Sequence, residues 1–171
     1  ETLHALNVEV VAPAAIGRHL DVPAISPEIL GAIEQQGQMV VLDVGGDPQG
    51  ARALGPYAAS IQRQEYAAYF TVNPYRPFMD SLQGIREAIR TVEATSRLKM
   101  TALVSNPNLM DETTMDLILS GHQIVLEVSR AIGLPVALLS VDCSLAEQIR
   151  PHVSGMPILE IRRFFDLHWA V

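Results

Sequence analysis

Four short polar segments carry the side chains that could do chemistry: 43–47, 73–77, 105–108 and 141–144. In the first, Asp43 follows four apolar residues and Gly46 stands three places on. An Asp at a strand tip can hold magnesium through water, and a Gly lets a backbone N–H approach a terminal phosphate. The same residues also suit a plain strand-to-loop turn, with Asp47 as a solvated turn residue or a second acid. Asn106 can offer one acceptor and two donors to a purine edge, or simply form the turn before Pro107. Asp142, followed by Leu145 and Ala146, can flank a base or cap a helix. Arg76 stands between Pro74 and Pro77, where it contacts phosphate, a partner or only water.

Other chemistries find little support. The five histidines show neither H-x-x-x-H nor H-E-x-x-H spacing, so zinc is not expected. His122 reads as a half-exposed structural residue within a helix. No G-x-S-x-G elbow serves a serine nucleophile. Gly45-Gly46 is not a dinucleotide fingerprint. Cys143 is the one cysteine, which excludes an internal disulfide and multi-cysteine metal sites. It reads as a small buried residue in a chain of the reducing cytoplasm.

The elements that must position these segments alternate. Apolar runs at 8–11, 39–42, 66–72, 100–104, 135–141 and 157–161 read as strands. Thr2 to Leu6 reads as a helix turn stopped by Asn7. Ser26-Pro27-Glu28 starts a helix that ends before Gly37, and another covers 49–61. Asp80 or Ser81 caps a helix whose Leu82, Ile85, Ile89 and Val92 form one stripe. A long helix starts at Asp111, and a short one covers 144–150. Such alternation implies an α/β fold with a mostly parallel sheet, helices on both faces and ligands at the carboxyl ends of the strands. Residues 1–161 read as one domain, and 162–171 as a tail carrying Phe164, Phe165 and Trp169.

Composition narrows the function. Of 171 residues, 49% are apolar and 18% charged, which excludes a disordered chain. Net charge −7 and 5% aromatics disfavour nucleic-acid binding. No apolar run approaches a membrane span. Eleven of the twelve basic residues are Arg, so Lys99 is the single lysine.

Together the strand-end segments resemble the MinD/ParA/CooC-type ATPases, a deviant P-loop class that includes nitrogenase iron protein. The resemblance spans about residues 1–161. Val40-Val41-Leu42-Asp43-Val44-Gly45-Gly46 resembles that family's strand–Asp–x–x–Gly segment. Phe70-Thr71-Val72-Asn73-Pro74 is similar to its next strand and proline loop, and Leu103-Val104-Ser105-Asn106 to the strand whose Asn reads adenine. Leu139-Ser140-Val141-Asp142-Cys143-Ser144-Leu145-Ala146 resembles its base-flanking segment. The resemblance implies a three-layer α/β domain that binds ATP and magnesium. Asp43 would hold the metal, Gly46 would face the terminal phosphate, and Asn73, Pro74, Asn106 and Asp142 would surround the nucleotide.

One departure is large. The family's G-x-x-x-x-G-K-[ST] loop is absent from these residues, and Lys99 precedes a strand instead of lying in a Gly-rich turn. The expectation is therefore a partial nucleotide-binding domain, incomplete at its N-terminus by about 40–50 residues (one βαβ unit and a connection). Such a chain would bind nucleotide weakly and turn over little. A missing strand leaves an open sheet edge, which invites pairing, so a homodimer is expected. Asn106 without a following Lys-x-Asp argues against the usual GTPase base motif, and the choice between ATP and GTP stays open. The alternative is a non-enzymatic interaction module with a partner surface over Tyr75, Arg76 and the tail. A flavodoxin-like receiver fits less well, because its paired acids and late lysine are missing.

Overall fold

The computed structural model describes residues 2–11 and 26–163. They form two compact units: residues up to Tyr66 together with Val92–Leu98, and Ala67–Thr91 together with the residues from Lys99 onward. The sequence reading runs one domain across the same span. The aromatic tail residues Phe164, Phe165 and Trp169 lie outside the described residues, as do 12–25.

The first unit is helical. Helix α1 (Thr2–Ala5) ends before Asn7, which takes the left-handed φ of 55° that Asn tolerates. Helix α2 (Pro27–Glu34) starts as its sequence dictates. Ser26 Oγ accepts from the Ile29 N–H, Pro27 needs no amide partner in the first turn, and Gly37 follows at φ 84°. The helix expected at 49–61 is two: α3 (Pro48–Arg52) and α4 (Ala58–Gln62), separated by a 3-10 turn at Gly55–Tyr57. Pro56 explains the break, since its ring disfavours helix at the preceding residue and it donates no hydrogen bond. Ile33, Tyr57, Ala58, Ile61 and Leu98 form this unit's core. At its margin Glu34 Oε1 accepts from Ser60 Oγ and Arg63 Nη2, both at 2.9 Å.

Two apolar runs of this unit are not strands. Among the described residues, Val8–Val11 and Met39–Leu42 have no ladder partner, and Met39 and Val41 are 90% and 82% exposed. The sequence reading made both of them strands, the second buried on both faces. Hydrophobicity alone does not make a strand; a neighbouring backbone must supply the hydrogen bonds.

The second unit holds the sheet. Strands β1 (Tyr69–Val72), β2 (Ala102–Ser105), β3 (Val136–Asp142) and β4 (Ile158–Ile161) are all parallel and stand in sequence order. This is the α/β class with a parallel sheet that the alternation implies. Helix α5 (Leu82–Ser96) follows β1, α6 (Met115–Ile132) follows β2, and α7 (Ala146–Ile149) follows β3. Ser81 is the α5 cap, its Oγ accepting from Gly84 N at 3.2 Å. Of the expected α5 stripe, Ile85, Ile89 and Val92 are buried, whereas Leu82, in the helix's first turn, is exposed.

Helix α6 starts later than expected. Thr114 is its N-cap, and Asp111 belongs to a 3-10 turn at Met110–Glu112. Gly133, at φ 74°, ends it in the left-handed conformation. Ile118 of α6 and Ile149 of α7 pack with Leu139 and Val141, so these helices cover one face of the sheet. Among the described residues no helix is long and apolar enough to cross a membrane.

Candidate functional site

The carboxyl ends of β1, β2 and β3 release three loops, and the first two are tied together. Asn73 Nδ2 donates to the Asn108 carbonyl at 2.7 Å, while its Oδ1 accepts from Tyr75 N and Asn108 N. The Asn73 amide is thus committed on both its oxygen and its nitrogen to holding the loops. Tyr75 Oη donates to the Leu117 carbonyl at 2.6 Å and fastens the first loop to α6. Gly121 lies where the prolines of both loops press on that helix. A Cβ there would come 2.6 Å from Pro107 Cβ and 3.1 Å from Pro74 Cγ. Pro74 is buried in this packing.

A further fastening lies beneath. Ser105 Oγ, fully buried at the end of β2, is 2.9 Å from His122 Nδ1 of α6. The Ser105 carbonyl accepts from Ser140 Oγ at 3.3 Å. His122 is buried instead of half-exposed, and desolvation of the imidazolium pulls its pKa below the ordinary value. Because no solvent reaches Ser105, this Ser–His pair cannot act as a nucleophile; it pins β2 to α6.

Above these fastenings is a cavity of about 180 Å³. Its polar lining includes Asn108, Asp111, Thr113, Asp142, Ser144 and Arg163. The cavity is smaller than the roughly 300–1,000 Å³ that encloses a whole drug-sized ligand. Asp142 Oδ1 accepts from Ser144 N at 3.0 Å and from Ser144 Oγ at 2.7 Å; Oδ2 takes neither bond. The Ser144 hydroxyl, then its amide, then the Arg163 charge hold the Asp142 carboxyl below its usual range, against the opposing effect of burial. Asp142 therefore presents an acceptor-only group at neutral pH.

The expected site residues fall in different settings. Asp142 lines the cavity. Asn106 does not; it is half-buried, its N–H donates to the Val72 carbonyl at 2.8 Å, and Pro107 and Asn108 take the lining positions. Asp43 and Gly46 belong to the first unit and are exposed. A Cβ on Gly46 would meet nothing within 4 Å. Asp47 is the N-cap of α3, its Oδ1 accepting from Gln49 N and Gly50 N at 2.8 Å. Among the described residues no three His, Cys, Asp or Glu side chains converge as a metal cluster.

Sequence reasoning missed Asn108, Asp111 and Arg163. Arg163 Nη2 lies 2.5 Å from Asp111 Oδ1, with both side chains on the cavity. Fifty-two positions separate the two, so no local spacing could have joined them. No family model, curated protein or solved structure matches the chain.

Proposed function

We propose that the chain is the base-recognition part of an ATP-binding α/β switch or ATPase similar to the MinD/ParA type, with the strand-end cavity taking adenine. The observation that carries this reading is the cavity itself. It opens at the carboxyl ends of parallel strands, where α/β sheets bind ligands. It has room for one ring system and offers the ionised Asp142 to an exocyclic amine. Asn73 and Pro74 serve the site by fixing the loop that bears Asn108. Asp43 and Gly46, to which the resemblance gives magnesium and the terminal phosphate, lie in the first unit and take no part in this reading of the cavity. Phosphate binding needs an amide cradle and a cation, and these residues contain no Gly-rich lysine loop. Binding is accordingly weak, dominated by the base, and hydrolysis by residues 1–171 is negligible.

Titration of adenosine, ADP and ATP against the protein, read by amide chemical shifts, tests this. Adenosine is expected to move Asn108 and Ser144, and Asp142→Asn to weaken it roughly tenfold. No shift at those amides up to millimolar adenosine overturns the reading.

One observation favours a non-enzymatic interaction module instead. Phe78, in the loop after β1, is 84% exposed and sits at φ 67°, a conformation costly for an aromatic residue. That reading predicts no nucleotide effect and a partner footprint centred on Phe78.

A further inference from the structure

We propose that Ser144 sets which base the strand-end cavity accepts: by filling one oxygen of Asp142 it leaves a single acceptor, which suits a ring bearing one amine donor and excludes guanine. This inference rests on the base-recognition reading of the same cavity and adds to it a choice among purines. A carboxylate oxygen offers two lone-pair sites. On Asp142 Oδ1 both are taken, one by Ser144 N at 3.0 Å and one by Ser144 Oγ at 2.7 Å. Oδ2 takes neither bond and remains to accept from a ligand. An adenine amine needs one acceptor. Guanine brings two adjacent donors, N1–H and the 2-amino group, which match a carboxylate with both oxygens open. Against Asp142 one of these donors meets a filled oxygen, and a buried donor left unpaired costs its full desolvation.

The other hydroxyls of the cavity are committed in the same sense. Ser140, on the same strand as Asp142, donates to the Ser105 carbonyl at 3.3 Å. Thr113 Oγ1 donates to the Met110 carbonyl at 2.7 Å. Among the described residues, Thr113, Ser140 and Ser144 are the hydroxyl side chains of the lining, and each spends its hydrogen inside the protein. None is left to meet the 6-oxo group of guanine or hypoxanthine. The hold on Asp142 is also separable from the fold. Ser144 is exposed, and its amide bond to Oδ1 survives a change of side chain. Ser144→Ala therefore opens one site on Oδ1 while Asp142 stays in place on β3.

Adenosine, inosine and guanosine titrated against wild type and variants, read at the Asn108 amide, test this. Inosine is guanosine without the 2-amino group, so the ratio of their affinities reports whether that amine finds Oδ1. Wild type should bind adenosine most tightly, and guanosine no better than inosine. Ser144→Ala should tighten guanosine roughly tenfold against inosine, the worth of one bond to a charged group. Ser144→Thr keeps the hydroxyl and should restore the wild-type ratio. Without ligand, carbon-13 titration of the Asp142 carboxyl should show its pKa rising toward the usual range in Ser144→Ala and returning in Ser144→Thr. An unmoved carboxyl, or an unmoved guanosine-to-inosine ratio while adenosine still binds, overturns the role of Ser144 and leaves the base reading standing. If no nucleoside shifts Asn108, the base reading falls and takes this inference with it.

Discussion

Met39-Val40-Val41-Leu42 and Ala102-Leu103-Val104-Ser105 are alike as sequence, each a short apolar run before a polar turn. Only the second is a strand. It is paired to β1 on one side and β3 on the other, and Leu103 is fully buried. The first has no ladder, and its Met and Val side chains face water. Periodicity reports what a segment can bury, whereas pairing depends on neighbours distant in sequence. The difference carries over to chemistry. Asn106, Asn108 and Asp142 stand on strand ends held by ladders, a buried Ser–His pair and an asparagine tie. Asp43 and Gly46 stand on a run that nothing comparable holds.

The strongest way to break this comparison is to cut into both regions. Leu139→Ala removes a fully buried side chain packed against Ile118 and Ile149, and should cost about 2–5 kcal/mol. Val41→Ala should stay within about 0.5 kcal/mol, because Val41 is already in water. Urea midpoints measure both. Equal losses would mean that the 39–42 run is buried in solution, and the contrast would collapse.

Glycines give a smaller contrast. Gly121→Ala gains about 1 kcal/mol in helix propensity. Its Cβ, however, would sit 2.6 Å from Pro107 Cβ. Overpacking costs about 1–3 kcal/mol, and proline rings yield less than a flexible side-chain end. A net loss of up to about 2 kcal/mol is expected, together with shifts at Asn106 and Asn108. Gly46→Ala meets no atom and should be neutral in the same urea measurement. A Gly121→Ala variant stabilised by the full helix-propensity gain of about 1 kcal/mol would show that the loops are not pressed on α6.

The same contrast explains what could be read from the chain. The Ile85–Ile89–Val92 part of the α5 stripe, the Ser26–Pro27 start, the Asn7 stop and the strand–helix alternation from β1 onward are local patterns, and the structure contains them. Asp142 was legible because a strand end before a helix is a ligand position in parallel sheets. Asn73 and Pro74 were legible as loop residues, although their bonds and packing hold a loop instead of facing the cavity. The missed features are non-local. Asn73 meets Asn108 across 35 positions, Ser105 meets His122 across 17, and Asp111 meets Arg163 across 52. No spacing rule connects such pairs. The lining Asn lies two residues beyond the one the sequence favoured, because Pro107 carries the chain over the strand end before Asn108 turns to the cavity.

The smallest effect comes from His122, and it sharpens the contrast without cutting the core. Burial holds the folded-state pKa below the ordinary value of about 6.5. The unfolded chain therefore takes up this proton at a higher pH than the folded chain. Above the ordinary value the contribution to stability is fully present. As pH falls below that value toward the folded pKa, the unfolded state binds more protons and stability declines. Amide hydrogen exchange between pH 7 and 5 should then show the protection of Asn106 and its neighbours weakening beyond the intrinsic exchange rate. The amides of 40–42 have no ladder to lose and should show no such trend. His122→Gln keeps a side chain able to bond Ser105 Oγ and removes the proton, so the slope should vanish. A slope that survives in His122→Gln would assign the pH response to another group and leave the Ser105–His122 fastening without a role in it.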